Sequence, residues 1–473
     1  MIPVTLGRIA EVTGGRVHDA GPDLVVSGPA FLDSRSPEPG GLFAAFVGEH
    51  ADGHAHAVAA VDGGAAAVLG SRPTGAPTVV VDDVQAALQQ LARVVLAELR
   101  RAGHPLVLAL TGSQGKTSTK DLLAAVLGAH APTVATHGSF NNELGLPLTV
   151  LRATSATRFL VLEMGARGIG HLRDLCDIAP PDVSLVLNVG KAHLGEFGSQ
   201  ENIALAKGEL VEALGPDGVA VLNADDPLVA AMATRTRAHV LGFGRAAGAD
   251  VRLDDVVVDE LGRPSFTLAH GGQSVRVSMQ LLGGHQAANA AAATSAAIAA
   301  GLPLADVATV LESVATLSPM RMELHERSDG LVVVNDAYNA NPDSMRAALE
   351  ALATMGARSG RRTVAVLGEM RELGRASAAE HAQVGLVARR LGIDLVVTVG
   401  EEARPLDAGV RGAEGDTPGH AYWAGTVEEA LAWLRHNVSG SDLLLVKASR
   451  GARLERVADG LLSHDADRKE AGA

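Results

Sequence analysis

Six short, largely aliphatic runs in this chain each end on polar residues, and that repeated design leaves few folds open. The runs are residues 159–162 before Glu163, 183–187 before Asn188, 219–222 before Asn223, 331–334 before Asn335 and Asp336, 364–367 before Gly368 and Glu369, and 443–446 before Lys447. Four or five consecutive apolar residues suit a strand covered on both faces, as in a parallel sheet packed between helices. A seventh run, residues 106–110, leads into the segment TGSQGKT at residues 111–117. Leu122, Leu123, Val126 and Leu127 then repeat at helical spacing. Strands alternating with helices in this way predict an α/β fold. In open α/β sheets ligands bind at the carboxyl ends of the strands. The polar residues stand at those ends.

The chain has 473 residues, enough for about three domains. Residues 1–85 hold short strand-like runs and many turn residues, including PEPGG at 37–41. Boundaries are expected near residue 85, in the polar VDDVQ region, and near Ser318 and Pro319, before a new strand–helix series. The domains are therefore read as 1–85, 86–318 and 319–473. The polar tail SHDADRKEAGA is expected to fray.

Apolar residues make up 47% of the chain but aromatic residues only 3%, so the cores must be built from Ala, Val and Leu. A formal net charge of −14 argues against sequence-independent nucleic-acid binding, which needs a basic surface. Cys176 has no intrachain partner, which fits a reducing compartment. The first residues, MIPVTLGRIAEVTGG, lack a basic segment leading into a long apolar core. No run approaches the ~18 apolar residues of a membrane span, and the Ala-rich residues 287–300 are too short and small-sided for one. A cytoplasmic protein without membrane insertion is expected.

The segment after the seventh run is a glycine turn between a strand and a helix. Such a turn offers backbone N–H groups and a helix N-terminus to phosphate. Thr111, Gly112, Ser113, Gln114, Gly115, Lys116 and Thr117 are the expected nucleotide-binding residues. Lys116 would reach the β- and γ-phosphates and the Thr117 hydroxyl would bind Mg²⁺. Leu110 stands where the strict phosphate-loop pattern has its first glycine. The loop alone does not separate kinase, GTPase, motor or ligase, although no NKxD-type guanine motif follows it.

Three further residues are candidates for the chemistry. Glu163 could hold the Mg²⁺ bound to the γ-phosphate, or serve as a capping or ion-paired glutamate. His193 could be a second metal ligand or a structural histidine. Lys207 lies in ALAKGEL on a helical pattern and, in isolation, reads as an exposed lysine. His50, His54 and His56 lack the cysteine partners and helical spacing of a zinc site. Cys176 reads as a small core residue.

Taken together the motifs resemble the Mur ligases. The resemblance rests on TGSQGKT, FNNELGLPLT at 140–149, LEMGARGIGHL at 162–172, NVGKAHLGEFGSQENIALAKGEL at 188–210, LLGGHQAANAAAA at 281–293 and NDAYNANPDSMRAAL at 335–349. These segments occur in family order over essentially the whole chain. DAYNANPDSM looks like the branch that joins D-alanyl-D-alanine to UDP-N-acetylmuramoyl-tripeptide, forming the pentapeptide precursor of peptidoglycan. The DYAHTPD-like and DNPR segments of the preceding ligase are absent. Residues 33–69 look like the family's uridine-binding module, and residues 447–451 match its KxSRG segment. Where the family often has PGR, this chain has Pro319, Met320 and Arg321.

The resemblance implies a small UDP-binding domain, a central ATP-binding domain and a Rossmann-like C-terminal domain. It implies ATP and Mg²⁺, two ions, as cofactors, with Lys116, Glu163, His193 and Lys207 in the chemistry and Thr117, Glu163 and His193 on metal. Lys207 matches the lysine that is carbamylated in sister ligases. Asn142 and Asn289 are expected near adenine, and Arg321 and Asp336 near ATP. Ser34, Arg35, Asn339, Lys447 and Ser449 are expected to bind substrate. The activity implied is acyl phosphate formation from ATP and the tripeptide carboxylate, followed by attack of the dipeptide amine. A monomer is the family's default. A sister ligase adding another amino acid or dipeptide is the alternative. A regulatory nucleotide-binding protein is the rival of a different class.

Overall fold

The computed structural model describes residues 1–48, 51–138, 140–190, 197–412 and 421–470. The fold is α/β throughout, with three main sheets in chain order. The first is five-stranded. Ala30–Phe31, Leu42–Ala44, Ala67–Gly70 and Thr78–Val80 run parallel, and Arg16–His18 closes the edge antiparallel. Val4–Thr5 and Val25–Val26 form a separate two-stranded ribbon.

The central sheet has nine strands. Leu106–Thr111 lies in its interior, flanked by Phe159–Glu163 on one side and Val183–Val186 on the other. Val219–Asn223, His239–Gly244 and Val251–Val258 extend it in parallel. Pro264–His270 and Gln273–Ser278 add an antiparallel edge. After Leu106–Thr111 the chain skips one position to Thr133–Ala135, returns through Phe159–Glu163, then crosses to the other side. That reversal opens a crevice at the carboxyl end of Leu106–Thr111, where doubly wound sheets bind ligands. In the third sheet Val332–Asn335, Asp442–Lys447, Arg362–Leu367, Leu395–Val399 and Ala421–Ala424 are parallel, with Glu323–Glu326 antiparallel at one edge.

The aliphatic composition sets how these layers pack. The helix Val84–Arg101 is capped by Asp83 and ends in Arg100 and Arg101, the charge placement that favours a helix. It buries Val84, Leu88, Leu91, Val95 and Leu99 in one core that joins the first sheet's strands to one face of the central sheet. The boundary expected at residue 85 thus falls in that helix's first turn. On the other central face the helix Gln286–Ala299 is buried on nearly every side, with Ala290, Ala291, Ala292 and Ala293 at 0% exposure. Alanine favours helix and carries no side-chain bulk, so this helix sits tightly beside Lys116–Gly128 in the same core. Among the described residues no helix is long and apolar enough to cross a membrane.

Candidate active site between the central and C-terminal sheets

The loop that follows Leu106–Thr111 has the backbone a phosphate site requires. Gly115 takes φ +79° at the N-terminus of the helix Lys116–Gly128. A Cβ there would lie 2.6 Å from Asn289 Oδ1, and one on Gly112 would lie 2.8 Å from Leu187 Cβ. Both positions therefore need glycine, for the left-handed conformation or for close approach. Lys116 Nζ curls back to donate to the Gly112 carbonyl at 2.7 Å. Its pKa is lowered by desolvation and by Arg321, against the opposing pull of Glu163 and Glu372.

Glu163 ends its strand at 1% exposure. Its Oε2 accepts from the Thr117 hydroxyl at 2.9 Å and its Oε1 from Asn141 Nδ2 at 2.7 Å. The Glu163 N–H donates to Thr136 Oγ1 at 3.0 Å. Thr117 Oγ1 also accepts from Arg321 Nη2 at 3.0 Å, which brings the C-terminal side onto the phosphate loop. Arg321 Nε is buried with no hydrogen-bond partner among the described residues. Its guanidinium lies 4.2 Å from the Tyr338 ring centroid. An orphaned donor of this kind fits a site that awaits an anionic ligand. The paired oxygens of Thr117 and Glu163 are hard donors with one negative charge. That is the sparse protein set Mg²⁺ takes when phosphates and water complete its shell. Among the described residues no group of three or more His, Cys, Asp or Glu could hold a metal. His193 lies outside the described residues.

Lys207 departs from the exposed lysine its local sequence suggests. It sits on the helix Gln200–Glu212 at 5% exposure. Burial, and then the Lys116 charge, hold its pKa well below the usual lysine range. Arg235 pins this helix, donating to the Ala204 and Leu205 carbonyls at 3.1 and 2.9 Å and pairing with Glu212. Glu209, two residues along, accepts from the Gly170 and Arg173 amides beyond Glu163.

The other expected residues divide between this site and elsewhere. Asn289 abuts Gly115 and donates to Gln286 Oε1 at 2.9 Å. Asn142 caps a local turn by accepting from Gly145 N, while its neighbour Asn141 reaches Glu163. Asp336 accepts from Lys447 Nζ at 2.6 Å and from Met322 N at 3.1 Å. Lys447 also donates to the Asn339 carbonyl. Ser449 Oγ accepts from Arg371 N at 3.0 Å and donates to the Ala340 carbonyl at 3.3 Å. Ser34 and Arg35 lie in the first domain. There Arg35 is exposed and forks onto Asp33, holding that carboxyl at about 2.

Two residues at the site escaped the sequence reading. Asn188 Oδ1 accepts from both Ser113 N and Gln114 N at 3.0 Å, and its Nδ2 donates to the Gln114 carbonyl. It holds the phosphate loop in shape from the neighbouring strand. Its position at a strand end was the available signal. Asn141 had none beyond its adjacency to Asn142. Met320 takes φ +57° and Met322 φ +51°, so a glycine would be at ease beside Arg321. His54 is buried, bonded to Asp52 Oδ1 through Nδ1 and to Ser71 through Nε2, as a structural histidine would be. Cys176 is buried, 4.0 Å from Met164 Sδ, and burial pushes its thiol up to about 12.

A phosphate loop closed over by an arginine from a second α/β domain defines a class, and sequence comparison defines the same one. Residues 110–297 match the Mur ligase middle domain and residues 320–450 the Mur ligase, glutamate ligase domain. The chain belongs to the Mur ligase family. It is 46% identical to the UDP-N-acetylmuramoyl-tripeptide–D-alanyl-D-alanine ligase of Mycobacterium tuberculosis, across 98% of this chain and 99% of that one. It is 36% identical to the ligase of that name from Bacillus subtilis, over 98% and 99%. Its structure is similar to MurF from Acinetobacter baumannii, with TM-score 0.84, 31% identity and coverage of 98% and 99%. It is also similar to the MurF ligase from Thermotoga maritima in complex with ADP, with TM-score 0.77, 31% identity and coverage of 93% and 98%.

Proposed function

We propose that this chain joins D-alanyl-D-alanine to UDP-N-acetylmuramoyl-tripeptide, using ATP. The observation that carries the reading is Arg321 reaching Thr117, so that the C-terminal domain supplies a cation to the phosphate loop. The full-length likeness to ligases of that name supports the choice of substrates.

The tripeptide carboxylate attacks the γ-phosphorus and ADP leaves. The dipeptide amine then attacks the acyl carbon, loses a proton and expels phosphate. The first step brings an anion onto an anion, so fixed positive charge is its main requirement. Lys116, the helix N-terminus behind it and Arg321 supply that charge. Thr117 and Glu163 would hold Mg²⁺, which when bound neutralises phosphate charge. Asn188 and Asn141 keep the loop and the carboxylate in place. Domain closure would shield the acyl phosphate from water. The working parts would be residues 1–85 for the UDP moiety, 86–318 for ATP and 319–473 for closure, in a cytoplasmic monomer.

Lys207 fits carbamylation by dissolved CO₂. A buried lysine with a lowered pKa presents a neutral amine. The new N–C bond forms as the nitrogen loses a proton, and the resulting anion would be favoured by the Lys116 charge. The test of the whole reading is phosphate release with UDP-N-acetylmuramoyl-tripeptide, ATP and a panel of amines. D-alanyl-D-alanine should give the strongest response. A strong response to a single amino acid without one to the dipeptide would refute it.

A further inference from the structure

Residues 314–322 carry the chain from the central domain into the C-terminal one, and their bonds change sides at a single residue. Val314 and Leu317 still pack against the central core. Ser318 N donates to Asp121 Oδ2 at 2.9 Å, on the helix Lys116–Gly128. Two residues later the partners lie in the C-terminal domain. Met320 N donates to Glu323 Oε2 at 3.0 Å, and its carbonyl accepts from Tyr338 N at 3.3 Å. Met322 N donates to Asp336 Oδ1 at 3.1 Å, and its side chain belongs to that domain's core. Between the two sets stands exposed Pro319, which has no N–H to bond to either side.

The central anchor is the helix that begins at the phosphate loop. Thr117 and Asp121 are four residues apart on it, so they share one face. The connecting segment lies along that face. Ser318 is tied to Asp121, and three residues on Arg321 Nη2 donates to Thr117 Oγ1. Thr117 and Asp121 are separated by about 6 Å along the helix axis, and three extended residues span at most about 10 Å. A backbone tied at Ser318 therefore keeps Arg321 within reach of Thr117 as the C-terminal domain turns about Pro319.

Asp121 is itself held in place. Its Oδ1 pairs with Lys120 Nζ at 2.6 Å, and the Lys120 side chain is 3% exposed. Lys120 Nζ also donates to the Thr136 carbonyl at 2.8 Å, and Thr136 Oγ1 accepts from Glu163 N. The anchor is thus bonded into the same set of residues that positions Glu163.

We propose that Asp121 is a positioning residue that fixes the pivot of domain closure at Pro319. One helix then both presents the phosphate loop and sets the path by which Arg321 arrives. When nucleotide enters, Arg321 exchanges Thr117 for phosphate while the bond from Ser318 to Asp121 persists. The inference rests on the ligase reading above and adds how its two domains are kept in register.

The experiment compares the full chain with Ser318→Pro, Asp121→Asn and Asp121→Ala. Ser318→Pro removes the N–H and leaves the Lys120–Asp121 pair intact, so it carries the test should Asp121→Ala fold poorly. Ser318→Pro and Asp121→Ala should each lower kcat for phosphate release with D-alanyl-D-alanine about tenfold. The Kd for ADP, read by calorimetry without the UDP precursor, should move less than about twofold, because the phosphate loop is untouched. Asp121→Asn keeps an oxygen for Ser318 N and should recover most of the rate. In solution scattering, ADP with the UDP precursor should shrink the wild type more than Ser318→Pro. Wild-type kcat in Ser318→Pro, or an ADP Kd that rises in step with the loss of kcat, would overturn the pivot. A wild type that shrinks with nucleotide yet releases no phosphate with the dipeptide would overturn the ligase reading instead, and the scattering difference would still decide the pivot.

Discussion

The central and C-terminal domains contribute to the site by different means. The loop after Leu106–Thr111 in the central domain works through backbone: glycine at φ +79° and a helix N-terminus. The C-terminal domain works through side chains, with Arg321 donating to Thr117 and Lys447 paired with Asp336. The first is built for an anion with many oxygens. The second brings a guanidinium onto it. A site divided in this way is complete only when the two domains meet.

The sharpest way to break the comparison is to remove the cation on which the backbone loop relies. Lys116→Ala should lower ligation by roughly a hundredfold to a thousandfold. Its melting temperature should stay near that of the wild type, because among the described residues this lysine's hydrogen bond is the local one to Gly112. Retained turnover would mean that the backbone cradle alone drives phosphoryl transfer.

Lys207→Ala tests the neighbouring charge and should cost about a hundredfold. Short carboxylic acids such as acetate should restore part of the rate, and added bicarbonate should not. In the wild type, lowering the pH protonates the amine and CO₂ then has no nucleophile. Activity should therefore fall as pH drops through the lysine's depressed pKa, and bicarbonate should offset part of that fall. Wild-type rates in Lys207→Ala would make the lysine a bystander.

Asn188→Ala should act on the loop's shape, not its charge. The Gln114 amide and carbonyl lose their partner, each with a desolvation cost of about 1–3 kcal/mol when left unsatisfied, while the Ser113 amide keeps the Asn188 backbone carbonyl. The KM for ATP should rise roughly tenfold while the KM for the dipeptide stays. Equal rises in both would place Asn188 in domain closure.

The parts of the site also differ in how readable they were. Backbone recognition needs glycine, and glycine leaves a pattern, so the strand, the glycine turn at residues 111–117 and the helix after it were legible in the sequence. The parallel α/β character followed from aliphatic runs ending in Asn, Asp, Glu or Lys. Lys207 was different. A helix with buried residues on most sides carries no stripe to say which lysine points inward, and only packing against the neighbouring elements reveals it. Asn188 and Asn141 act through a neighbouring strand and a loop that the chain does not place beside Ser113 or Glu163 in sequence.

The smallest expected effect concerns the strained segment that carries Arg321 between the two domains. Met320 holds φ +57°, which costs a side-chain residue about 1–2 kcal/mol. Met320→Gly removes that strain but gives the unfolded chain more freedom, worth roughly 0.5–1 kcal/mol in the opposite sense. The two nearly cancel, so thermal melting should shift stability by less than about 1 kcal/mol. Met320 Sδ also lies 2.8 Å from Arg450 Nη1. A loss above about 2 kcal/mol would show that this contact, and not the backbone, is what the methionine contributes. A near-neutral melt with a raised KM for ATP would show that the left-handed methionine orients Arg321 toward Thr117, and that the strain sits there for the site.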